Sequence, residues 1–261
     1  MEIDSFYMKF TLTITSSKRF SLFDKTIKSF VENCNDYNLI NEIYHYDDSS
    51  SYEDRIKMSN LIHSFFPNAK LINFYFDENS FVDKKRHARI MRIWKDNLKY
   101  SNNEFVFHLE DDWEFLRKFE LTESLQVFEK NEVGYVGYTQ QLRKLPDEYS
   151  TELLGDYWKW VYDEKKPIQE NLFLDTTEME SHPNPNYWCY FVNWPHFSLR
   201  PGIHRITHLK KMENFSIEEN HFEVEFALRY SKNYVSFNHI NKIVNHLGWD
   251  ISAYDLNNSN R

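Results

Sequence analysis

The stretch Phe105-Val106-Phe107-His108-Leu109-Glu110-Asp111-Asp112-Trp113-Glu114-Phe115 decides the fold of this chain. Five mostly apolar residues run directly into three consecutive carboxylates, and aromatic residues follow. An apolar run of this length is typical of a strand that is buried on both faces, as in a parallel α/β sheet. Ligands of such sheets bind beyond the carboxyl ends of the strands, which is where these acids fall. The stretch therefore predicts a binding site at one edge of the sheet.

The three adjacent carboxylates predict a site for a divalent cation. Glu110, Asp111 and Asp112 repel one another unless positive charge neutralises them, and hard oxygen ligands suit Mg²⁺ or Mn²⁺. A solvated acidic turn is the alternative interpretation. The buried strand before the acids and the aromatic residues around them limit solvation, and they favour the metal site.

The first 115 residues alternate between strand and helix patterns. Strands are predicted over residues 9–15, 38–46, 71–76 and 105–109, and a helical pattern of apolar residues separates each pair. This order predicts a doubly wound α/β sheet with right-handed crossovers. After Phe115 the pattern predicts a helix over 121–128, a strand over 133–138, an irregular segment over 140–185, a strand-like segment over 187–199, short helices over 204–212 and 221–231, and an edge strand over 235–237.

Composition and missing motifs exclude several classes of function. The formal net charge of −9 disfavours a nucleic-acid binder, which normally presents a basic face. No glycine-rich dinucleotide or Walker-type loop is present, so any phosphate must be bound by metal and side chains. The two cysteines have no zinc spacing. With no signal-peptide core and no apolar run near the roughly 20 residues of a membrane span, we expect a soluble, cytoplasmic protein without a transmembrane segment.

Four stretches together resemble the family 2-like glycosyltransferases of GT-A fold. Residues 13–19, Thr-Ile-Thr-Ser-Ser-Lys-Arg, resemble the opening strand and helix that hold the nucleotide. Residues 47–50, Asp-Asp-Ser-Ser, resemble the segment whose acid receives the edge of uracil or guanine. Residues 109–112 resemble the Asp-x-Asp metal motif, with Glu110 in place of the first Asp. Residues 222–229 resemble the Glu-Asp-x-Asp-Leu-x-x-Arg segment, whose second residue is the catalytic base.

The resemblance implies a fold, an activity and partners. The fold is one GT-A-type α/β domain over residues 1–261, with a mixed, mostly parallel sheet flanked by helices. Residues 1–115 form its nucleotide-binding half and residues 116–261 its acceptor-binding half. The implied activity is metal-dependent transfer of a sugar from a nucleoside-diphosphate sugar to a hydroxyl of a glycan or another acceptor, with Mn²⁺ or Mg²⁺ as cofactor. A UDP-sugar is favoured as donor and a GDP-sugar is possible. One in-line displacement assisted by one base inverts the anomeric centre.

The resemblance also implies roles for individual residues. The nucleotide is assigned to Thr15, Ser17, Arg19, Asp48, Arg86, Arg89, Glu110 and Asp111. The metal is assigned to Asp112 and His246, the catalytic roles to Glu223 and Glu225, and contacts to the acceptor or donor sugar to Trp194 and His196.

Each assignment has a plain structural alternative. His246 and the aromatic residues are equally consistent with core packing, and the basic cluster at residues 84–86 with a solvated helix face. Asp47 and Asp48 could cap a helix. Only one of Glu223 and Glu225 can face the cleft, and Glu225 could pair with Arg229 at i+4.

Two rival functions remain open at this point. A metal-dependent phosphodiesterase would use the same acids, but it would need a second metal and more His and Asp residues in motif spacing. A non-catalytic protein that binds a nucleotide or sugar on a GT-A scaffold is permitted by the Glu110 substitution. The acids and His246 together favour the transferase.

Overall fold

The computed structural model describes residues 8–77, 80, 85–139, 152–160, 162, 164–165, 195–217 and 222–247. The strands are β1 (Phe10–Ser16), β2 (Ile40–Asp48), β3 (Lys70–Phe76), β4 (Phe105–Glu110), β5 (Trp113–Phe115), β6 (Val133–Gly137), β7 (Leu153–Leu154), β8 (Tyr157–Lys159), β9 (Gly202–Arg205), β10 (Val235–His239) and β11 (Val244–His246). The helices are α1 (Phe20–Asn33), α2 (Tyr52–Phe65), α3 (Arg86–Asn97), α4 (Leu125–Phe128), α5 (Ile206–Lys211) and α6 (Phe222–Tyr230).

The main sheet has the strand order β3-β2-β1-β4-β9-β6-β10-β8-β7, and β5 pairs with β11 in a separate ribbon. The strands β3, β2, β1 and β4 pair in parallel, whereas β9 runs antiparallel between β4 and β6. The last parallel pair is β6 with β10, and β8 is antiparallel to β10. The predicted α/β architecture with a mixed, mostly parallel sheet flanked by helices is confirmed.

Helices cover both faces of the sheet, and β4 shows how the sequence achieves this. Its residues Phe105, Phe107 and Leu109 face the core formed with α1 and α2, whereas Val106 faces the core formed with α3, α5 and α6. Side chains of a strand alternate between faces, so a strand buried on both faces is mostly apolar, and the one polar side chain buried within β4, His108, is paired with Thr13. In the part of the chain that the structure describes, no helix is both long enough and apolar enough to cross a membrane.

Helix signals in the sequence explain where the flanking helices lie. In α1, Phe23, Ile27 and Phe30 recur at helical spacing and are fully buried. The helix α2 begins after Ser51, whose hydroxyl accepts a hydrogen bond from the backbone N–H of Asp54 at 3.1 Å.

Two predicted elements of the second half were wrong. Residues 204–212 were expected to form a helix, but residues 204 and 205 belong to β9, which enters the sheet between two parallel strands, and α5 begins only at Ile206. Residues 235–237 were expected to form an edge strand, yet β10 is internal because the hairpin of β7 and β8 pairs beyond it. Within the expected strand-like segment 187–199, only residues 195–199 are described, and they form no strand.

Several histidines are buried as neutral rings. His108 is fully buried and its Nδ1 lies 2.9 Å from Thr13 Oγ1, and burial lowers its pKa to about 3. His204 packs against Tyr135 and Phe197, and its ring nitrogens have no hydrogen-bond partner among the residues described. Burial first, and then the neighbouring His108, lowers the pKa of His204 well below its usual value. A histidine whose pKa is lowered in the folded state costs stability when the pH falls below its unfolded pKa, and it has no such cost above that pKa.

We therefore expect stability to fall as the pH drops below about 6.5, because the unfolded chain then binds protons that the folded chain excludes. Near pH 5 each such histidine costs about 2 kcal/mol. The variant His204→Phe removes one of them and should lose about 2 kcal/mol less stability between roughly pH 7.5 and pH 5. Urea unfolding at the two pH values measures this. The exposed His63→Gln variant is the control, and an equal loss of stability in His204→Phe and wild type would contradict the prediction.

Candidate active site

Three parallel strands end side by side at the candidate site. In the sheet register Thr15 lies opposite both Tyr46 and Glu110, so the carboxyl ends of β1, β2 and β4 meet at one edge. The chain segments that follow these strands begin with Ser17, Ser49 and Asp111. The sequence motifs assigned to the nucleotide are therefore adjacent in space. Ser17 and Asp111, for example, are joined by a hydrogen bond although they are 94 positions apart in the sequence.

Asp111 is the buried anchor of this edge. Its Oδ2 accepts a hydrogen bond from the backbone N–H of Ser17 at 2.9 Å, and its Oδ1 accepts one from Nη2 of Arg19. Its carbonyl accepts a hydrogen bond from Thr26 Oγ1 at 2.9 Å, and the same hydroxyl accepts one from the N–H of Trp113 at 3.1 Å. The helix α1 thus holds the acidic turn after β4 in place.

Asp112 lies between a guanidinium and an imidazole. Its Oδ2 is 3.0 Å from Arg19 Nη1 and 3.2 Å from His246 Nε2. Its Oδ1 is buried and has no hydrogen-bond partner among the described residues. Burial alone would raise the pKa of Asp112, but the hydrogen bond and charge of His246, together with Arg19, outweigh it and lower that pKa. The carboxylate is therefore held ionised.

The ribbon of β5 and β11 brings His246 to this place. His246 pairs with Trp113 in the antiparallel register, and their ring centroids are 4.7 Å apart. The next residue, Leu247, donates its N–H to the carbonyl of Asp112 at 2.7 Å. The two residues assigned to the metal are thus brought together by backbone pairing.

Glu110 differs from the two acids that follow it. Its Oε2 accepts a hydrogen bond from Trp113 Nε1 at 3.0 Å. Burial first, and then the charge of Asp112, raises the pKa of Glu110 to about 8, and the charge of Glu223 adds to this effect. The carboxylate of Glu223 on α6 therefore lies within electrostatic range of the acids at the end of β4.

The two acids of α6 have different surroundings. Glu223 Oε1 accepts a hydrogen bond from the backbone N–H of Leu199 at 3.0 Å. Glu225 forms a bidentate pair with Arg229, with distances of 2.6 and 2.9 Å. Glu223 is thus tied to the segment before β9, while Glu225 is engaged along its own helix.

The two acids that end β2 also separate by role. Asp47 is fully buried, and it accepts hydrogen bonds from Ser16 Oγ at 2.9 Å and from Arg55 Nε at 2.8 Å. Asp48 lies at the rim with 18% of its side chain exposed, and it pairs with Arg86. The structure therefore brings together Asp48 and Arg86, two residues assigned to the nucleotide. Arg89 lies one turn further along α3, where its N–H donates to the carbonyl of Lys85.

Backbone strain is concentrated beside the site. Lys18 and Ser49 have φ angles of 54° and 67°, in the left-handed region that L residues seldom adopt. The N–H of Lys18 donates to Ser50 Oγ at 2.8 Å, and the N–H of Ser49 donates to the carbonyl of Phe76 at 2.8 Å. These bonds hold both turns in the strained conformation, as is common near ligand sites.

Of the two residues assigned to the acceptor or donor sugar, the structure describes one. His196 is buried, and its Nδ1 accepts a hydrogen bond from the backbone N–H of Ser236 at 3.3 Å. Trp194 lies outside the described residues. Sequence reasoning missed Tyr135, which is fully buried, packs against Trp160 and donates a hydrogen bond to the carbonyl of Arg200 at 3.3 Å. It also missed the amide of Leu199, since a backbone donor carries no signal in the sequence.

The acids at the end of β4 form only part of a metal site. Within the described ranges, no group of three or more His, Cys, Asp or Glu residues could hold a metal ion on its own. Asp112 and His246 nevertheless supply one carboxylate and one imidazole, which suit Mn²⁺, and the buried unpartnered Oδ1 of Asp112 leaves an acceptor to be satisfied. These two residues fit a cation whose remaining ligands are phosphate oxygens and water.

No family model matches the sequence, and no curated protein sequence matches it. Solved structures do resemble the chain. The mannosyltransferase PcManGT from Pyrobaculum calidifontis, in complex with GDP-Man and Mn²⁺, superposes with a TM-score of 0.59 and 10% identity over 95% of this chain and 59% of that one. S. aureus TarS 1–349, in complex with UDP, superposes with a TM-score of 0.53 and 13% identity over 91% of this chain and 59% of that one.

The chain thus spans 59% of the length of each of these neighbours. At such low identities the likeness establishes the fold and leaves the activity to the site. The predicted fold is confirmed: the chain has the GT-A fold of these glycosyltransferase structures.

Proposed function

We propose that this protein is a metal-dependent, inverting glycosyltransferase that moves a sugar from a nucleoside-diphosphate sugar to an acceptor hydroxyl. The observation that carries the proposal is the 3.2 Å approach of His246 to Asp112 at the carboxyl ends of the strands. This arrangement lies on a fold whose solved neighbours include complexes with GDP-Man and Mn²⁺ and with UDP.

Asp112 and His246 would hold the cation, which when bound supplies a Lewis acid for the departing diphosphate. Ser17, Arg19 and Arg86 would position the phosphates and ribose, since they surround the strand ends. Glu223 would accept the proton of the acceptor hydroxyl as that oxygen attacks the anomeric carbon. The N–H of Leu199, 3.0 Å from Glu223, fixes the direction of this carboxylate and stabilises its ionised form.

The binding of the cation and of the nucleotide is tested by thermal shift. We expect UDP with Mn²⁺ to raise the melting temperature, by about 5 °C at a hundredfold excess over its dissociation constant, because a ligand of the native state stabilises it by about 2.7 kcal/mol there. Asp112→Asn should abolish the part of the shift that needs Mn²⁺. Asp24→Asn, at a half-buried surface position paired with Lys28, is the matched control. No shift with any nucleoside diphosphate, with or without metal, would refute the proposed function.

The role of Glu223 as the general base is tested with the variant Glu223→Gln. We expect this variant to release nucleoside diphosphate from the nucleotide-sugar about 10² to 10⁴ times more slowly, with the thermal shift retained, because a general base acts in the transition state. Glu225→Gln should lose less than about 1 kcal/mol of stability and little rate, because its pair with Arg229 is partly exposed. Equal losses of rate in the two variants would contradict the assignment. If wild type hydrolysed the nucleotide-sugar no faster than the uncatalysed background, the non-catalytic alternative would be favoured.

The surroundings of Asp48 support uracil as the base. Its Oδ1 accepts hydrogen bonds from Arg86 and from Ser49 Oγ at 3.0 Å, so a nucleobase would have to bind at Oδ2. A single oxygen matches the single ring N–H of uracil. Guanine presents two neighbouring N–H donors, which need both oxygens of a carboxylate.

We therefore expect wild type to bind UDP more tightly than GDP in calorimetric titrations. Arg86→Gln should remove the guanidinium from Oδ1, which keeps its hydrogen bond from Ser49 Oγ, and lower the ratio of the two affinities by about tenfold, since a hydrogen bond to a charged group contributes about 1.5–3 kcal/mol. Arg92→Gln removes the same charge from an exposed position of the same helix and should leave the ratio unchanged. A preference for GDP in wild type would contradict this interpretation of Asp48.

A further inference from the structure

The guanidinium of Arg19 lies across two of the acids that follow β4. Its Nη2 contacts Asp111 Oδ1, and its Nη1 lies 3.0 Å from Asp112 Oδ2. The exposed fractions of the three side chains are 12% for Arg19, 2% for Asp111 and 10% for Asp112. A positive charge of the protein itself therefore already neutralises the carboxylate that would ligate a metal.

The two acids that Arg19 contacts differ in how many other groups bind them. Asp111 is bound from several sides, because it also accepts the N–H of Ser17 and its carbonyl accepts the hydroxyl of Thr26. Asp112 has a second neighbour at the same oxygen, His246, and its Oδ1 is buried without a partner in the described structure. Arg19 can thus keep Asp111 through Nη2 while Nη1 leaves Asp112, and Asp112 has unused capacity to accept a cation.

A divalent cation at Asp112 and Arg19 Nη1 compete for one carboxylate. A cation held by Asp112 would lie beside the positively charged guanidinium of Arg19, and like charges repel strongly in a site from which water is largely excluded. A diphosphate entering beside β1 would offer Nη1 a new anionic partner, because guanidinium groups bind phosphate oxygens well. The nucleotide would then release Asp112 to the metal.

We propose that Arg19 is the resting counter-ion of Asp112, and that it makes the binding of the divalent cation and of the nucleoside diphosphate cooperative. This inference rests on the proposed function and specifies how its metal site is controlled. Each ligand alone binds weakly, and each strengthens the other by the same factor, because coupling between two binding sites is reciprocal.

The test is a titration of the full chain with Mn²⁺, with free Mn²⁺ measured by electron paramagnetic resonance, in the absence and presence of UDP. Wild type should bind Mn²⁺ at least about ten times more tightly with UDP than without it. Arg19→Gln should bind Mn²⁺ alone about ten times more tightly than wild type does, and its coupling to UDP should be about tenfold smaller than that of wild type, with the share due to direct phosphate ligation retained.

Arg19→Gln removes the charge beside buried Asp111, so Arg19→Lys provides a second variant. A lysine keeps one charge at Asp111 but cannot contact both acids, since it is a point charge without the planar fork. It too should bind Mn²⁺ alone more tightly. Lys28→Gln, from the exposed pair with Asp24, is the control for loss of one positive charge and should behave as wild type.

Unchanged affinity for Mn²⁺ alone in both folded Arg19 variants would overturn the inference. If wild type still bound Mn²⁺ with UDP in that case, the proposed function would survive. Mn²⁺ binding that persists in Asp112→Asn would place the metal elsewhere and overturn both. Circular dichroism shows whether each variant is folded.

Discussion

Three consecutive carboxylates at the end of a buried strand, two of them buried and one half-buried, are the constraint on which the rest of this structure depends. Burying one ionised carboxylate without a partner is costly, and three in sequence also repel one another. The chain meets the constraint with the guanidinium of Arg19, with backbone N–H groups and with a histidine from the far end of the sequence. The loop after β1 and the ribbon of β11 are therefore positioned by charge as well as by packing.

The strand geometry gives the three adjacent acids different surroundings. Glu110 is the last residue of β4 and contacts the indole of Trp113. Asp111 turns into the start of α1, and Asp112 turns towards the ribbon. The result is a pKa that is raised for Glu110 and lowered for Asp112. Neighbouring carboxylates whose environments push their pKa values apart can take different parts in one reaction.

Two groups of residues surround the described site. The first is built on the ends of β1, β2 and β4, where Asp47 and Asp111 each accept several hydrogen bonds. The second is formed by α6, by the residues before β9 and by buried aromatic rings such as Tyr135 and Phe197. Under the proposed function, the first group would bind the nucleotide and the second would face the acceptor.

The sequence by itself determined the first half of the fold, because strand and helix periodicities are local. It placed β1, β2, β3 and β4 to within two residues, and it placed the acids beyond the last of them. It predicted wrongly at β9 and β10, because the place of a strand in a sheet depends on partners that are distant in sequence.

Only the tertiary structure decided which of the candidate acids lie together. Glu223 and Glu225 are alike in sequence, yet one accepts the N–H of Leu199 and the other pairs with Arg229. The distinction between Asp47 and Asp48 likewise comes from burial. The contact of Arg19 with Asp111 and Asp112 links residues about 90 positions apart. Residue types state which chemistry is possible, whereas distances between charges, which only folding fixes, determine which groups neutralise one another.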